Sequence, residues 1–140
     1  MLIPNKTNFK KCSKGRINLN WEYKANKLRF GSFGLQSLEA GKITAKQIEA
    51  VRRTITAKMK RKGKIWIRIF PDIPVTAKPA EVRMGKGKGN VKHWMTRIKA
   101  GQVLYEVASS DINSVFDALN SASIKLPVST RILKKTFKLL

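Results

Sequence analysis

The chain has little of what an enzyme or a disulfide-stapled scaffold needs. Its one cysteine, Cys12, allows no internal disulfide, which fits a reducing compartment. Its one histidine, His93, has no cysteine or histidine set at metal-ligand spacing and no triad partners, so it reads as structural or RNA-facing. The 8 acidic residues are scattered and leave no carboxylate pair placed for acid–base chemistry. No apolar run approaches the length of a membrane span, and the N-terminus lacks an apolar signal core. Internal repeats and heptads are absent too. The expectations are therefore no enzymatic activity, no metal or other cofactor, no membrane association and no intrinsic homo-oligomer.

Positive charge is what the chain does have. Its 30 Lys+Arg against 8 Asp+Glu leave a net charge of +22. Such an excess on a lone domain would repel itself strongly, so a polyanionic partner is implied. Nucleic acid is the first candidate and an anionic membrane the second. A length of 140 residues with 42% hydrophobic content suits a single packed domain with tails. The charge runs divide it into a basic arm (1–20), one α+β domain (21–133) and a basic tail (134–140) carrying Lys134, Lys135 and Lys138.

The arm is turn-rich and carries Lys6, Lys10, Lys11, Lys14 and Arg16, which repel one another unless a polyanion orders them. Leu28–Phe30 and Phe33–Leu38 read as short β pieces. Gly31, Gly34 and Gly41 interrupt them and suggest bulges or close approach of another backbone. From Thr44 to Arg61 the pattern is helical. Thr44 and Gln47 have capping-box spacing, Ile48, Val51, Ile55 and Met59 form one apolar stripe, and Gly63 can stop the helix. Lys46, Arg52, Arg53, Lys58, Lys60, Arg61 and Lys62 crowd the remaining surface with only Glu49 to oppose them. That much like charge destabilises a free helix, so the face is read as a phosphate contact.

Lys64–Phe70 reads as a strand, with Ile65, Ile67 and Ile69 on the core face and Trp66, Arg68 and Phe70 on the other. There Trp66 is expected to cover a second layer rather than stack on a base. Pro71, Pro74 and Pro79 then block regular ladders, although Val75 could start a short edge strand. Val91–Ile98 and Val103–Ala108 look like a hairpin joined across Lys99–Gln102. A second amphipathic helix is expected over Asp111–Ala122, capped by Ser110, with Ile112, Val115, Phe116, Leu119 and Ala122 in helical register. Residues 100–124 contain no Lys or Arg, so this helix should face solvent or protein, away from the polyanion. Lys125–Leu133 suggests a last strand with Pro127 at an edge.

Between Pro79 and Asn90 lies the stretch that carries function. Arg83 and Met84 precede Gly85, Gly87 and Gly89, which alternate with Lys86 and Lys88. Glycine amides can approach a partner closely, and successive N–H groups can make an anion-binding concavity that the lysines reinforce. The bland alternative is a solvated flexible loop. Neither glycine register completes a dinucleotide fingerprint, because Asn90 and Lys92 stand where the third glycine would be. Nor does a Gly-Lys-Ser/Thr phosphate-loop ending follow. The long loop and the arm are not expected to hold a stable fold in isolation.

These residues resemble a known family. Gln47-Ile-Glu-Ala50 with Arg52-Arg53, Gly63-Lys-Ile-Trp-Ile-Arg68 with Phe70-Pro-Asp72, Lys78-Pro79, Val82-Arg-Met-Gly-Lys-Gly-Lys-Gly-Asn90, Leu104-Tyr-Glu106 and Lys125-Leu-Pro127 are similar to the bacterial-type "L-sixteen" protein of the large ribosomal subunit. The resemblance implies an α+β fold: a mixed or antiparallel sheet with a hammerhead-like β excursion and two amphipathic helices. It implies binding to large-subunit rRNA beside the aminoacyl-tRNA site, contact with tRNA and neighbouring ribosomal proteins, and a late role in assembly. The Arg83–Gly89 stretch matches the family loop that reaches towards tRNA and the peptidyl-transferase region. Lys78 and Asn90 flank it. The Arg52-Arg53 helix matches an RNA contact, and Arg68 is expected among the rRNA-binding residues as well. Departures occur at Asn5 and Asn8, at Val107–Ser110, along Ile17–Lys27 and after Thr130. The resemblance starts at Met1, so no import sequence is expected ahead of it. Abundant Lys, Asn and Ile favour an organelle-encoded mitochondrial protein over a bacterial or plastid one. Outside the family, the charge alone would also suit a free, non-specific nucleic-acid-binding protein.

Overall fold

A computed structural model describes residues 2–135. The expected tail 134–140, with Lys138, falls mostly outside them. Among these residues seven strands and two helices build two antiparallel sheets with one main core, in keeping with the expected α+β fold of mixed or antiparallel sheet; none of these strand pairs is parallel.

The first sheet contains β1 (Phe33–Ser37), β3 (Lys64–Ile67), β6 (Val103–Ala108) and β7 (Thr130–Lys134), in the order β3-β6-β1-β7. Helices α1 (Ala45–Lys58) and α2 (Ile112–Ser123) pack side by side on one face of it. Phe33 of β1 meets Phe116 of α2 edge-on, and the Tyr105 hydroxyl of β6 donates to the Ile48 carbonyl of α1 at 3.0 Å. The stripe Ile48, Val51, Ile55 and Met59 is buried as its spacing requires. In α2 the buried residues are Val115, Ala118, Leu119 and Ala122; Ile112 is exposed.

The second sheet joins β2 (Gly41–Thr44), β5 (Asn90–Ile98) and β4 (Ile73–Ala77), in the order β2-β5-β4. Away from the main core it has only a small cluster of Ile73, Val75 and Met95. The β4–β5 hairpin projects here, and residues 78–89 form its tip.

Several sequence expectations are corrected. Strands β5 and β6 do not pair with each other: β5 lies between β2 and β4, whereas β6 lies between β1 and β3. The turn Lys99–Gln102 therefore carries the chain from one sheet to the other, with Gly101 at φ +84. Pro74 does not block a ladder, because β4 is an edge strand where a missing N–H is tolerated. The Leu28–Phe30 piece is not a strand; residues 21–31 form an irregular strap across the face of the first sheet opposite the helices. Gly31 and Gly34 are the close approaches expected of them, since a Cβ on Gly31 would sit 2.6 Å from the Val107 carbonyl oxygen. The strand expected to run to Phe70 ends at Ile67, and the last strand starts at Thr130 rather than Lys125.

Both helix ends also differ. The Thr44–Gln47 capping box forms as expected. At the other end, Gly63 does not stop α1. The Lys60 amide donates to the Ala57 carbonyl and the Arg61 amide to the Thr56 carbonyl, both at 3.0 Å. This is a Schellman pattern with Lys60, at φ 49, in the left-handed position glycine usually fills. Asp111, not Ser110, caps α2, accepting from the Asn113 and Ser114 amides. A carboxylate satisfies those amides and complements the helix dipole better than a hydroxyl.

Candidate nucleic-acid interface

The hairpin tip is built from residues that touch little of the protein. Arg83, Met84, Gly85, Lys86, Gly87 and Lys88 are all exposed, Met84 almost completely so. Gly85 and Gly87 have φ +90 and +84, and Lys86 between them has φ 56. Three successive left-handed residues make a tight reversal that β-carbons strain, which is why two of the three are glycine. Space around Gly85 and Gly87 is open, so conformation rather than crowding selects glycine. Gly89 differs: a Cβ there would lie 2.5 Å from the Ala77 carbonyl oxygen, because strand pairing resumes at Asn90. Lys78 bridges the tip internally by donating to the Gly85 carbonyl.

The N-terminal arm runs back along this hairpin. The Lys11 ammonium donates to the Lys88 carbonyl and the Lys88 ammonium to the Cys12 carbonyl, each at 2.8 Å. Arg97 on β5 donates to the Arg16 carbonyl at 3.2 Å. Lys6, Lys10, Lys14 and Arg16 are exposed beside them. Two cationic segments distant in sequence are thus brought together by lysine-to-carbonyl bonds, which leave the charge itself unneutralised. A polyanion would stabilise this arrangement and water only screens it.

Helix α1 supplies a second cationic surface. Lys46, Arg53 and Lys58 are exposed on it, and Lys60, Arg61 and Lys62 follow its C-terminus. Glu49 accepts from Arg52 at 2.7 and 3.0 Å and from Arg53 at 3.0 Å. The Arg52 hydrogen bond, aided by Arg53 and opposed by burial, lowers the Glu49 pKa to about 2. Two arginine side chains are thereby oriented by one carboxylate, with a net positive charge left over.

Arg68 belongs to a different arrangement. Its guanidinium pairs with Glu106, whose side chain is fully buried. The other Glu106 oxygen accepts from the Arg29, Phe30 and Gly31 amides at 3.0, 2.7 and 2.8 Å. Burial pushes the Glu106 carboxyl up, but the Gly31 and Phe30 amides, then Arg68 and the Arg29 amide, outweigh it and hold the pKa below the usual carboxylate value. Arg68 is therefore committed to the protein's interior, unlike the other basic residues singled out from the sequence.

The sequence pattern missed this anchoring of the strap. A lone acid within the apolar run Val103–Ala108 was the available signal, since a charge in a buried strand needs partners. His93 on β5 is half-buried opposite Val75. Among the described residues no group of three or more His, Cys, Asp or Glu could hold a metal ion, and no helix is long and apolar enough to cross a membrane.

Helices α1 and α2 share one sheet face, so the change of charge sign falls across the groove between them rather than across the molecule. Lys58, Lys60 and Lys62 line one side of a cavity of about 610 Å³, and Asp111 and Asp117 line the other.

The model of the family described as ribosomal protein L16p/L10e matches residues 4–133. Three bacterial relatives named large ribosomal subunit protein uL16 align along nearly the full chain. The protein of Psychrobacter cryohalolentis is 52% identical over 97% of this chain and 98% of its own length. That of Chelativorans sp. is 49% identical over 96% and 98%. That of Caulobacter vibrioides is 50% identical over 96% and 94%.

Proposed function

The chain belongs to the ribosomal protein L16p/L10e family, and from that premise we propose that it is a structural constituent of the large ribosomal subunit. It binds large-subunit rRNA and helps to form and stabilise the aminoacyl-tRNA site near the peptidyl-transferase centre, joining late in assembly and touching neighbouring ribosomal proteins. It has no active site of its own and acts by positioning RNA. The observation that carries this reading is the exposed Arg83–Lys88 tip, held at the end of a two-stranded projection with the basic arm latched to it through Lys11 and Lys88.

In this reading Arg83, Lys86 and Lys88 screen phosphates where RNA strands converge, and the glycines let the backbone thread between them. The arm lysines and Arg16 extend the contact along the hairpin. The α1 surface, with Lys46, Arg52, Arg53 and Lys58 and the following Lys60–Lys62, binds a separate stretch of rRNA backbone. Changing Arg83, Lys86 and Lys88 together to alanine should impair subunit maturation or tRNA accommodation while the body stays folded. Ribosomes that assemble and accept aminoacyl-tRNA normally with this triple change would refute it. Sedimentation with the large subunit through sucrose in high salt separates a ribosomal protein from a free nucleic-acid binder, which would stay behind.

We further assign the protein to a mitochondrial ribosome. Its abundant Lys, Asn and Ile and its departures from the family pattern in the tail support this, beside relatives that are bacterial. Recovery from the ribosomes of a bacterial cytoplasm would overturn the assignment.

A further inference from the structure

We propose that the outer face of β3 is a stacking platform for an unpaired RNA base, with Phe30 as its exposed surface. The proposal rests on the rRNA-binding reading and adds to it a site on the strap, away from the hairpin tip. Strand alternation turns Ile65 and Ile67 towards the core and Trp66 and Arg68 to the opposite side. The strap crosses that side. Its three consecutive amides, Arg29 to Gly31, converge on Glu106, and this fixes where Phe30 sits. The Phe30 ring lies on Trp66 with centroids 6.1 Å apart and planes 20° from parallel.

Trp66 thus has the covering layer expected of it, but that cover is itself an aromatic residue left 58% exposed. Two cations lie over the rings of the stack. The Lys64 ammonium lies 5.3 Å from the Trp66 ring centre, and the Arg68 guanidinium carbon 5.5 Å from that of Phe30. Glu106 neutralises Arg68, so Lys64 and the exposed Arg29 are the charges that remain for an anion.

A flat ring held from behind, with the cations Lys64 and Arg29 left unpaired by Glu106, matches a nucleotide: the base supplies a π-face and its phosphate supplies the anion. A duplex hides its base faces, so the occupant is an unpaired or extruded nucleotide. An aromatic side chain of a protein would offer the ring without the charge. The platform is also built in advance, since the Glu106 contacts hold the strap before RNA arrives, and little ordering cost remains.

The test uses the full chain and two probes at one ionic strength: a short single-stranded oligoadenylate and an RNA duplex of equal length. Phe30→Leu should weaken oligoadenylate binding about tenfold, the lower part of the range for one base–aromatic stack. Duplex affinity and the salt dependence of both should stay unchanged, because no charge is altered. Phe30→Tyr should bind both probes as the parent does. In a Trp21→Phe, Trp94→Phe protein, whose one tryptophan is Trp66, oligoadenylate and not the duplex should quench the emission. Equal losses on both probes with Phe30→Leu, no loss on either, or emission of the Trp66-only protein indifferent to oligoadenylate would overturn the platform. A Phe30→Leu protein that still sediments with the large subunit but binds oligoadenylate like the parent would sink this proposal and leave the ribosomal reading standing.

Discussion

Glu106 shows how one side chain can organise two parts of a chain far apart in sequence. It is fully buried, yet Arg68 and three strap amides surround it, so its charge is met by donors rather than by water. Glu106→Gln would turn an amide N–H₂ towards donors and leave Arg68 without its anion. We expect a loss of about 3–5 kcal/mol, measured by urea unfolding, the usual cost of breaking a buried pair. The pH dependence follows from the same contacts. Glu106 and Glu49 both have folded pKa values below the ordinary 4.5, Glu49 at about 2. Each binds fewer protons folded than unfolded in that range, so their stabilisation is complete above 4.5 and is lost as pH falls through the folded values. Urea midpoints should be flat above this range and fall as pH passes down through it, and the fall should be shallower in a Glu49→Gln variant. At Lys60 the residue is wrong for its conformation. Left-handed φ costs a β-carbon residue about 1 kcal/mol, so Lys60→Gly should raise unfolding stability by roughly that amount.

At the level of elements, the β4–β5 hairpin is a lever attached to the core at one end. Its tip residues pack on almost nothing but the arm, and its own cluster is three side chains. Replacing residues 80–88 with a two-residue Asn-Gly turn should therefore leave global stability within about 0.5 kcal/mol of the parent by urea unfolding. Subunit maturation or tRNA accommodation should fail in the same variant. A large stability loss would mean that the tip supports the fold. Helix α1 works differently: its buried stripe anchors the domain while its exposed surface carries lysines and arginines. There, substitutions on the exposed side test binding, and substitutions at Ile48 or Ile55 test folding.

Across the whole molecule, the arm and the hairpin tip act as one charged unit because Lys11 and Lys88 each hold the other segment's backbone. Lys11→Ala and Lys88→Ala should each weaken rRNA binding, and the double change should cost less than their sum, with a coupling of at least about 0.5 kcal/mol. Additive losses in a binding cycle would show that the two segments bind RNA independently. The charge asymmetry read from the sequence survives in modified form. α2 presents Asp111 and Asp117, but it lies beside α1 on the same sheet face, so the boundary is a groove rather than an opposite side.

Local patterns in the sequence were enough to place both helices, the capping box at Thr44, most strands, the glycine-rich tip and the excess of positive charge. Each of these depends on neighbours within a turn or a few residues, or on composition. Tertiary structure alone decided which strands pair. Val91–Ile98 and Val103–Ala108 look like a hairpin because only four residues separate them, yet each is already hydrogen-bonded on both edges by strands from elsewhere in the chain. It also decided that Arg68 would serve Glu106, that residues 21–31 would strap a sheet face, and that Phe30 would come to rest on Trp66. Those outcomes depend on where a buried charge finds donors, 38 residues away at Arg68 and more than seventy at the strap amides, and no local periodicity records such distances.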